Sequence, residues 1–480
     1  MFKFLFYCFV VSFIAFFSSC KPENYFTDSN AKLNFSNDTV MFDTVFTTIS
    51  SATKYLRVYN KYSKPVNISS IRLAGGITSP FSIIVDGRPG IEVNDIEIQG
   101  NDSAFIAVKV NVDPTKKDAP LLILDSIIFK LNDNIQNVKL AAWGQDVHLL
   151  KDSVIKTQTW TNNKPYLVYE GVLIDSSSTL TIEQGTKIYF HNGAWLIANG
   201  NIVVNGTIEE PVIFRGDRLD RIGYSTPIPY DKTPGQWSGI WVRNSGSGST
   251  FNYAEIRNSV RGLYVGQLGK PGQANVELSN CIIQNNSYSG LFAVNAKIKA
   301  YNTLIANSGF YNFYAAAGGE YEFNQCTFAS YALFGTSDRV SVILTNRAKD
   351  SIWYYGDLKT ATFGNCLIFG NSALELAMDS DAIHPFNYLF DHCLIKDVDN
   401  QLDFSDQSKF KNTIRGKVDD PGFISIEQYK YDFRLAKKSI AIDAGSKEIG
   451  NLYPQDYYNH SRIDDDGPDI GYAEFYSVTK

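Results

Sequence analysis

Six stretches between Phe251 and Asp397 repeat one pattern, and that repeat limits what the chain can fold into more than any other feature. Taking one position as zero, its occupants are Ala254, Cys281, Thr303, Cys326, Cys366 and Cys393. Three residues earlier stand Phe251, Leu278, Ala300, Phe323, Phe363 and Phe390. Two residues later stand Ile256, Ile283, Ile305, Phe328, Ile368 and Ile395. The successive intervals are 27, 22, 23, 40 and 27 residues. A unit this short with apolar positions two apart cannot bury its own strands, so neighbouring copies must stack. The positions at −3, 0 and +2 are expected to face inward, with a bend between the first two. At +4 stand Asn258, Asn285, Asn307, Ser330, Gly370 and Asp397, which suit a tight turn because Asn tolerates left-handed backbone. The result is a parallel β-helix.

The four cysteines then lose much of their chemical interest. Zinc ligands cluster at Cys-x2-4-Cys spacing, and these gaps are far wider. A slot shared with Ala254 and Thr303 reads as a place for small core side chains. A disulfide between Cys366 and Cys393, on adjacent coils, is the alternative, although stacked side chains that point the same way seldom meet disulfide geometry.

The front of the chain has a different grammar. From Leu33 to about Ala142, runs such as YLRVYNKYSKPVNISSIRLAGG, SPFSIIVDG and DSAFIAVKVNVDP alternate apolar and polar residues between Gly, Pro and Asn turns. Aromatic residues are 14% of the whole 480-residue chain, with 32 Phe and 28 Tyr against 3 Met, a mix that favours strands. The chain therefore reads as all-β, with an antiparallel β-sandwich over 33–148, a parallel β-helix solenoid over 155–425, and a last coil and cap over 426–480. The order of strand, Asn at a turn, Pro and Ile-x-x-Ile resembles the immunoglobulin-like accessory modules of bacterial surface proteins, which implies spacing or protein contact.

At the start, Lys3 precedes an apolar run from Phe4 to Phe17 that is too short to span a bilayer, and FSSC ends at Cys20. This resembles a bacterial lipoprotein signal. The resemblance implies cleavage of residues 1–19, a lipid on Cys20 (palmitate among its acyl chains), a tether over 20–32 and an outer-membrane lipoprotein of the cell envelope.

The solenoid as a whole resembles the pectate-lyase-like (pectin-lyase-like) right-handed β-helix family. The likeness includes GTIEEPVIF at 206–214 and WSGI at 237–240, and at roughly 24 residues per coil it implies about eleven coils. The segments YDFRLAKKSIAIDAGS and RIDDDGPDIGYAEF resemble the C-terminal segment of bacterial surface β-helix proteins, with Ile440 where that family has Pro. The segment is expected to cap the open strand edge.

Candidate chemistry is sparse. Asp379, Asp381 and His384 in MDSDAIHPF are the best acid–base set, and this resemblance implies calcium-binding carboxylates with a basic proton acceptor; the Gly-His-Gly and Arg-Ile-Lys motifs of the polygalacturonase branch are absent. Asp464, Asp466 and Asp469 are candidate Ca2+ ligands, though an exposed turn explains them equally well. GDRLDR at 216–221 reads as surface ion pairs. Trp353, Tyr354 and Tyr355 lie in the sequence that lengthens one interval to 40 residues, and Phe310 and Tyr311 lie a coil or two earlier; exposed rings there would stack on sugars. Ile282, Leu304, Leu367 and Leu394 make one outward row apolar, so something is expected to cover it. The net charge of −6 carries no basic footprint for nucleic acid. The expectation is a monomeric, lipid-anchored envelope protein without a cofactor that binds polysaccharide or another surface ligand without catalysis. The alternatives are a polysaccharide lyase or glycoside hydrolase on an acidic glycan, and an architectural adhesin.

Overall fold

A computed structural model describes residues 24–47, 51–113, 121–222, 228–243, 248–270, 273–335, 339–419, 421–464 and 466–476. The expected signal over 1–19 and the lipid site at Cys20 lie outside the described residues. The chain divides into two compact units between Asp146 and Val147. No helix among the described residues is long and apolar enough to cross a membrane.

The first unit is a β-sandwich of two five-stranded sheets. Alternation along each strand sends one set of side chains inward, as in Phe81–Val85, where Phe81, Ile83 and Val85 are buried and the residues between them are exposed. The pair Thr39–Phe46 and Asn134–Gln145 runs parallel, while the other pairings are antiparallel. Asn60 makes the turn legible in YLRVYNKYSKP: it is buried, its amide donates to the Lys64, Ile98 and Gln99 carbonyls, and its Oδ1 accepts from Tyr62 N.

The second unit holds one 26-stranded parallel sheet wound into three faces. It opens at His148, ahead of the expected start at 155, because His148–Ile155 already pairs with Tyr166–Ile174. The first face includes Trp195–Ala198, Trp237–Val242, Ser259–Gly266, Val342–Thr345 and Leu376–Asp379. The second includes Ser249–Asn252, Asn275–Ser279 and Leu389–Asp391, and the third Ala254–Arg257, Ile282–Gln284, Leu304–Ala306, Thr327–Ser330, Leu367–Gly370 and Leu394–Lys396. Ser289–Tyr301 and Tyr311–Asn324 run through the corner between the first two faces.

The repeat is realised residue by residue. Phe251, Leu278, Ala300, Phe323, Phe363 and Phe390 are successive register partners, as are Ile256, Ile283, Ile305, Phe328, Ile368 and Ile395, and all are buried. Phe323, Phe363, Phe390 and Phe410 stack with ring centroids 5.1, 4.7 and 5.5 Å apart. The four cysteines are buried free thiols. Cys281 and Cys393 Sγ each donate to the carbonyl of the preceding coil's phenylalanine, Phe251 and Phe363, and burial pushes the Cys281 thiol up to about 12.

The turn chemistry differs from the expectation. Left-handed backbone occurs at +4 only in Asn258, Asn285 and Asn307, whereas the residue immediately before position zero is left-handed in every coil: Tyr253, Asn280, Asn302, Gln325, Asn365 and His392. The bend between positions −3 and 0 needs it, because the chain must turn from one face to the next within a single peptide.

The C-terminal segment departs from its expected role. The open end of the solenoid is closed by the loop before Phe410, where Phe404 stacks on Phe410 at 4.9 Å and Arg415 lies over Phe404 while bonding Asn400 and the Leu402 carbonyl. Residues 421–464 and 466–476 instead run back along the third face as a strap. Phe433, Tyr457 and Tyr472 cover Leu304, Ala306 and Ala329; Leu435, Ala441 and Ile470 cover Leu367, Phe369 and Leu394. The apolar outward row dictates this, since leaving it in water costs about 25 cal/mol per Å2.

The tail motif acts as the strap's fastening. Arg462 is fully buried, bonded through Nη1 to Glu474 and through Nη2 to Asn302 Oδ1 at 3.0 Å and the Gly471 carbonyl. Gly471 has φ +123°, and a Cβ there would lie 2.8 Å from Thr327 Oγ1. Burial raises Glu474 to about 8 and Asp469 to about 6. Removing Arg462 strands buried polar partners, so Arg462→Ala should cost about 3–5 kcal/mol and make the strap cleavable by protease while the solenoid survives. Because both carboxyls have folded values above their unfolded ones, their stabilising contribution is complete below about pH 4 and is lost as pH rises through about 6 to 8. Protease protection of the strap should therefore fall from pH 5 to pH 8, with a flatter profile in Glu474→Gln.

Candidate functional site

Alternation on the first face leaves every second residue pointing out, and register places those residues in a column. Ile197, Trp241, Tyr264, Phe292, Tyr314 and Ile343 are successive partners. Strand spacing separates them by about 4.8 Å. Trp241 and Tyr264 stack at 4.9 Å, Phe292 meets Tyr264 at 5.3 Å and Tyr314 at 5.0 Å, and Trp195 lies 6.0 Å from Trp241. Trp241 Nε1 donates to the Gly266 carbonyl at 2.9 Å, which fixes its ring.

Phe310 and Tyr311 join this column at its edge. Tyr288 lies 5.1 Å from Phe310 and 5.9 Å from Tyr311, and Tyr311 stacks on Tyr314 at 5.0 Å. Burial pushes Tyr314 up to about 12. Cations flank the rings: Arg243 lies 4.0 Å over Trp241, and Arg261 lies 4.7 Å over Tyr288 and 5.5 Å over Phe292. The rings are half-buried and stack on one another along the face, so they form a ridge on the solenoid surface rather than a core.

The residues that lengthen the 40-residue interval form an antiparallel hairpin, Arg347–Lys349 with Trp353–Tyr355. Alternation splits the three predicted aromatics. Tyr354 packs with Val294, Ala316, Ala317 and Ala348 beside Tyr264 and Phe292, whereas Trp353 and Tyr355 stay 46% and 48% exposed. Arg347 and Lys349 both lie over the Trp353 ring, at 5.4 and 5.6 Å.

Asp379, Asp381 and His384 lie beside the hairpin, and each bonds protein groups. Asp379 forms a two-pronged pair with the Arg347 guanidinium. Asp381 accepts from Asn346 Nδ2, Ile383 N and His384 N, and its second oxygen meets His384 Nδ1 at 2.7 Å. The His384 backbone bond, with the other donors, holds Asp381 below the usual carboxylate range. His384 stacks on Tyr355 at 5.5 Å. This arrangement ties the loop to its neighbours, and Asp381 fixes the orientation of the His384 ring through Nδ1.

The candidate Ca2+ ligands do not converge. Asp469 is buried and accepts from the Asp443 and Phe475 amides, while Asp464 and Asp466 are exposed. No metal-holding group of three or more His, Cys, Asp or Glu occurs among the described residues. In GDRLDR, Arg218 grips Asp220 and lies 4.0 Å over Tyr230, and Asp217 bonds His191 at 2.7 Å.

The column leaves a signal in the sequence beyond the residues expected there. Gly-Ile-Trp-Val, Gly-Leu-Tyr-Val, Gly-Leu-Phe-Ala and Asn-Phe-Tyr-Ala, at 239–242, 262–265, 290–293 and 312–315, share one aromatic offset between two inward residues.

Residues 147–328 match the family model described as right handed beta helix region, which gives the winding its hand. A right-handed parallel β-helix behind an antiparallel sandwich is thus the class to which the architecture points. Among solved structures, pectate lyase Pel9A is 12% identical, covers 69% of this chain and 88% of its own, and has a TM-score of 0.26. The PapD-like domain 7 of human CEP192 is 9% identical over 27% of this chain and 96% of its own, with a TM-score of 0.18. A family 123 glycoside hydrolase from Clostridium perfringens is 9% identical over 26% of this chain, which spans only 30% of that enzyme, with a TM-score of 0.17. At these scores none of the three bears on function. No curated protein matches.

The hairpin's two sides should respond differently to truncation. Tyr354→Ala removes a half-buried ring and should cost about 0.5–3 kcal/mol locally, seen as faster hydrogen exchange over 347–355. Trp353→Ala should leave that exchange within twofold of wild type.

Proposed function

We propose that this protein is a lipid-anchored component of a bacterial cell envelope whose β-helix binds a polysaccharide along its first face without cleaving it. The aromatic column from Trp241 to Tyr314 carries this reading. Half-buried rings repeated every coil at about 4.8 Å form an aromatic ridge along which a sugar chain lies. Arg243 and Arg261 beside the rings favour a glycan with acidic groups. The reading without catalysis is supported by the occupied state of Asp379 and Asp381. The anchor is supported by the run ending in FSSC at Cys20, and palmitate labelling should disappear in Cys20→Ala, with the protein moving to the soluble fraction.

The test is affinity electrophoresis in gels carrying polygalacturonate, chondroitin sulfate or xylan. At least one acidic polymer should retard the wild type, and Trp241→Ala should weaken retardation about tenfold, equivalent to about 1.4 kcal/mol. Retardation that is absent with all three, or unchanged in a Trp241→Ala/Tyr264→Ala variant, would sink the binding reading. Release of unsaturated or reducing sugar that is lost in Asp379→Ala would restore the enzyme alternative.

A further inference from the structure

The hairpin that interrupts the repeat takes no part in the first-face ridge through its outer side, and that side carries a surface of its own. Arg347–Lys349 and Trp353–Tyr355 pair antiparallel, with Lys349 opposite Trp353 and Arg347 opposite Tyr355. Alternation sends Ala348 and Tyr354 onto Val294, Ala316 and Ala317, so the other four residues share the outer face.

That face is accessible. Trp353 is 46% and Tyr355 48% exposed, and Lys349 is exposed beside them. The two ring centroids are 6.2 Å apart, with the planes 26° from parallel. His384 extends the row from the neighbouring loop, 5.5 Å from Tyr355 and 9° from parallel. Asp381 fixes the imidazole through Nδ1 at 2.7 Å, while Nε2 has no protein partner and is not buried. The row therefore starts at an exposed indole and ends at a reachable ring nitrogen of fixed direction.

The charges along the row are uneven. Arg347 is offset by its two-pronged pair with Asp379. Lys349 has no carboxylate partner among the described residues, its chain neighbour Asp350 included, and its Nζ lies 5.6 Å from the centroid of the Trp353 ring. One uncompensated ammonium beside exposed rings suits a ligand with one anionic group on a body that has an apolar face. A sugar acid has both, because its C–H face stacks on an aromatic ring and its carboxylate meets the ammonium. A polyphosphate would need several cations where this face offers one. Two rings followed by an imidazole give room for two sugars in line.

We propose that the outer face of this hairpin binds a uronate-containing disaccharide unit, at a site separate from the first-face ridge. The uronate stacks on Trp353 with its carboxylate on Lys349. The adjoining sugar stacks on Tyr355, and one of its hydroxyls bonds His384 Nε2. The site does not depend on the ridge, and each can fail without the other.

The test is fluorine NMR on the full chain with its six tryptophans replaced by fluorotryptophan, titrated with digalacturonate, glucuronyl-N-acetylglucosamine and cellobiose. The Trp353 signal, assigned by its disappearance in Trp353→Phe, should shift with at least one uronate disaccharide, and at least tenfold more tightly than with cellobiose. Lys349→Gln should weaken uronate binding about tenfold and leave cellobiose unchanged. His384→Phe keeps a ring against Tyr355 while removing the nitrogen, and should weaken binding several-fold. The Trp195 and Trp241 signals report the ridge in the same titration, so failure at one site reads separately from failure at the other. A Trp353 signal that moves with none of the three sugars overturns the site, and so does an affinity unchanged in Lys349→Gln or equal for cellobiose. Equal affinity for the dipeptide glutamyl-glutamate assigns the face to acidic peptides and likewise overturns the sugar.

Discussion

The corner between the second and third faces is the constraint on which the rest of the solenoid depends. In each of the six repeat coils from Ala254 to Cys393 one left-handed residue turns the chain there, and its amide bonds the matching corner of the next coil. Asn280 N reaches Tyr301 O, Gln325 N reaches Gly364 O, Asn365 N reaches Asp391 O and His392 N reaches Lys411 O, at 2.9–3.1 Å. Side-chain amides add a second rail, from Asn302 to Asn280 and from Asn280 to Asn252, at 3.1 and 3.2 Å. With the corner pinned, a slip of one residue would turn the phenylalanine and isoleucine columns outward.

Everything on the outside inherits that register. The first-face rings line up because Trp241, Tyr264, Phe292 and Tyr314 hold the same place in successive coils. The strap uses the same corner as its attachment: Asn302 donates to the Gln455 carbonyl, and Asn365 exchanges bonds with Ser446 in both directions. Corner asparagines therefore stack the coils and also hold the covering segment. The strap in turn makes the third face tolerable in water, because Leu304, Leu367 and Leu394 would otherwise form a long apolar stripe.

The titratable groups fall into two kinds of setting. Asp381, Asp217 and Asp391 each bond a histidine ring at 2.6–2.7 Å and help shape turns. Glu375, Asp469 and Glu474 are buried and raised, Glu375 to about 7, because desolvation outweighs the donors around them.

The sequence by itself determined what faces inward. Phe251 to Phe390 and Ile256 to Ile395 were aligned from spacing alone, and so were the demotion of the cysteines to core thiols and the apolar row that needed a cover. These are local matters, because a strand alternates every two residues and a coil closes within 20-odd residues. Only the tertiary structure decided what covers what. Tyr253 Oη meets the Tyr457 carbonyl 204 residues away, and no periodicity encodes such a contact. The same limit applied to Trp353–Tyr355, where a hairpin half-buries Tyr354 and leaves its neighbours exposed. It applied to Asp381, whose occupation depends on Asn346 from a neighbouring coil. It applied to the strap, whose tail resembled an end cap but which lies on the flank, because the apolar row on the third face needs a cover and Phe404 and Arg415 already close the open end.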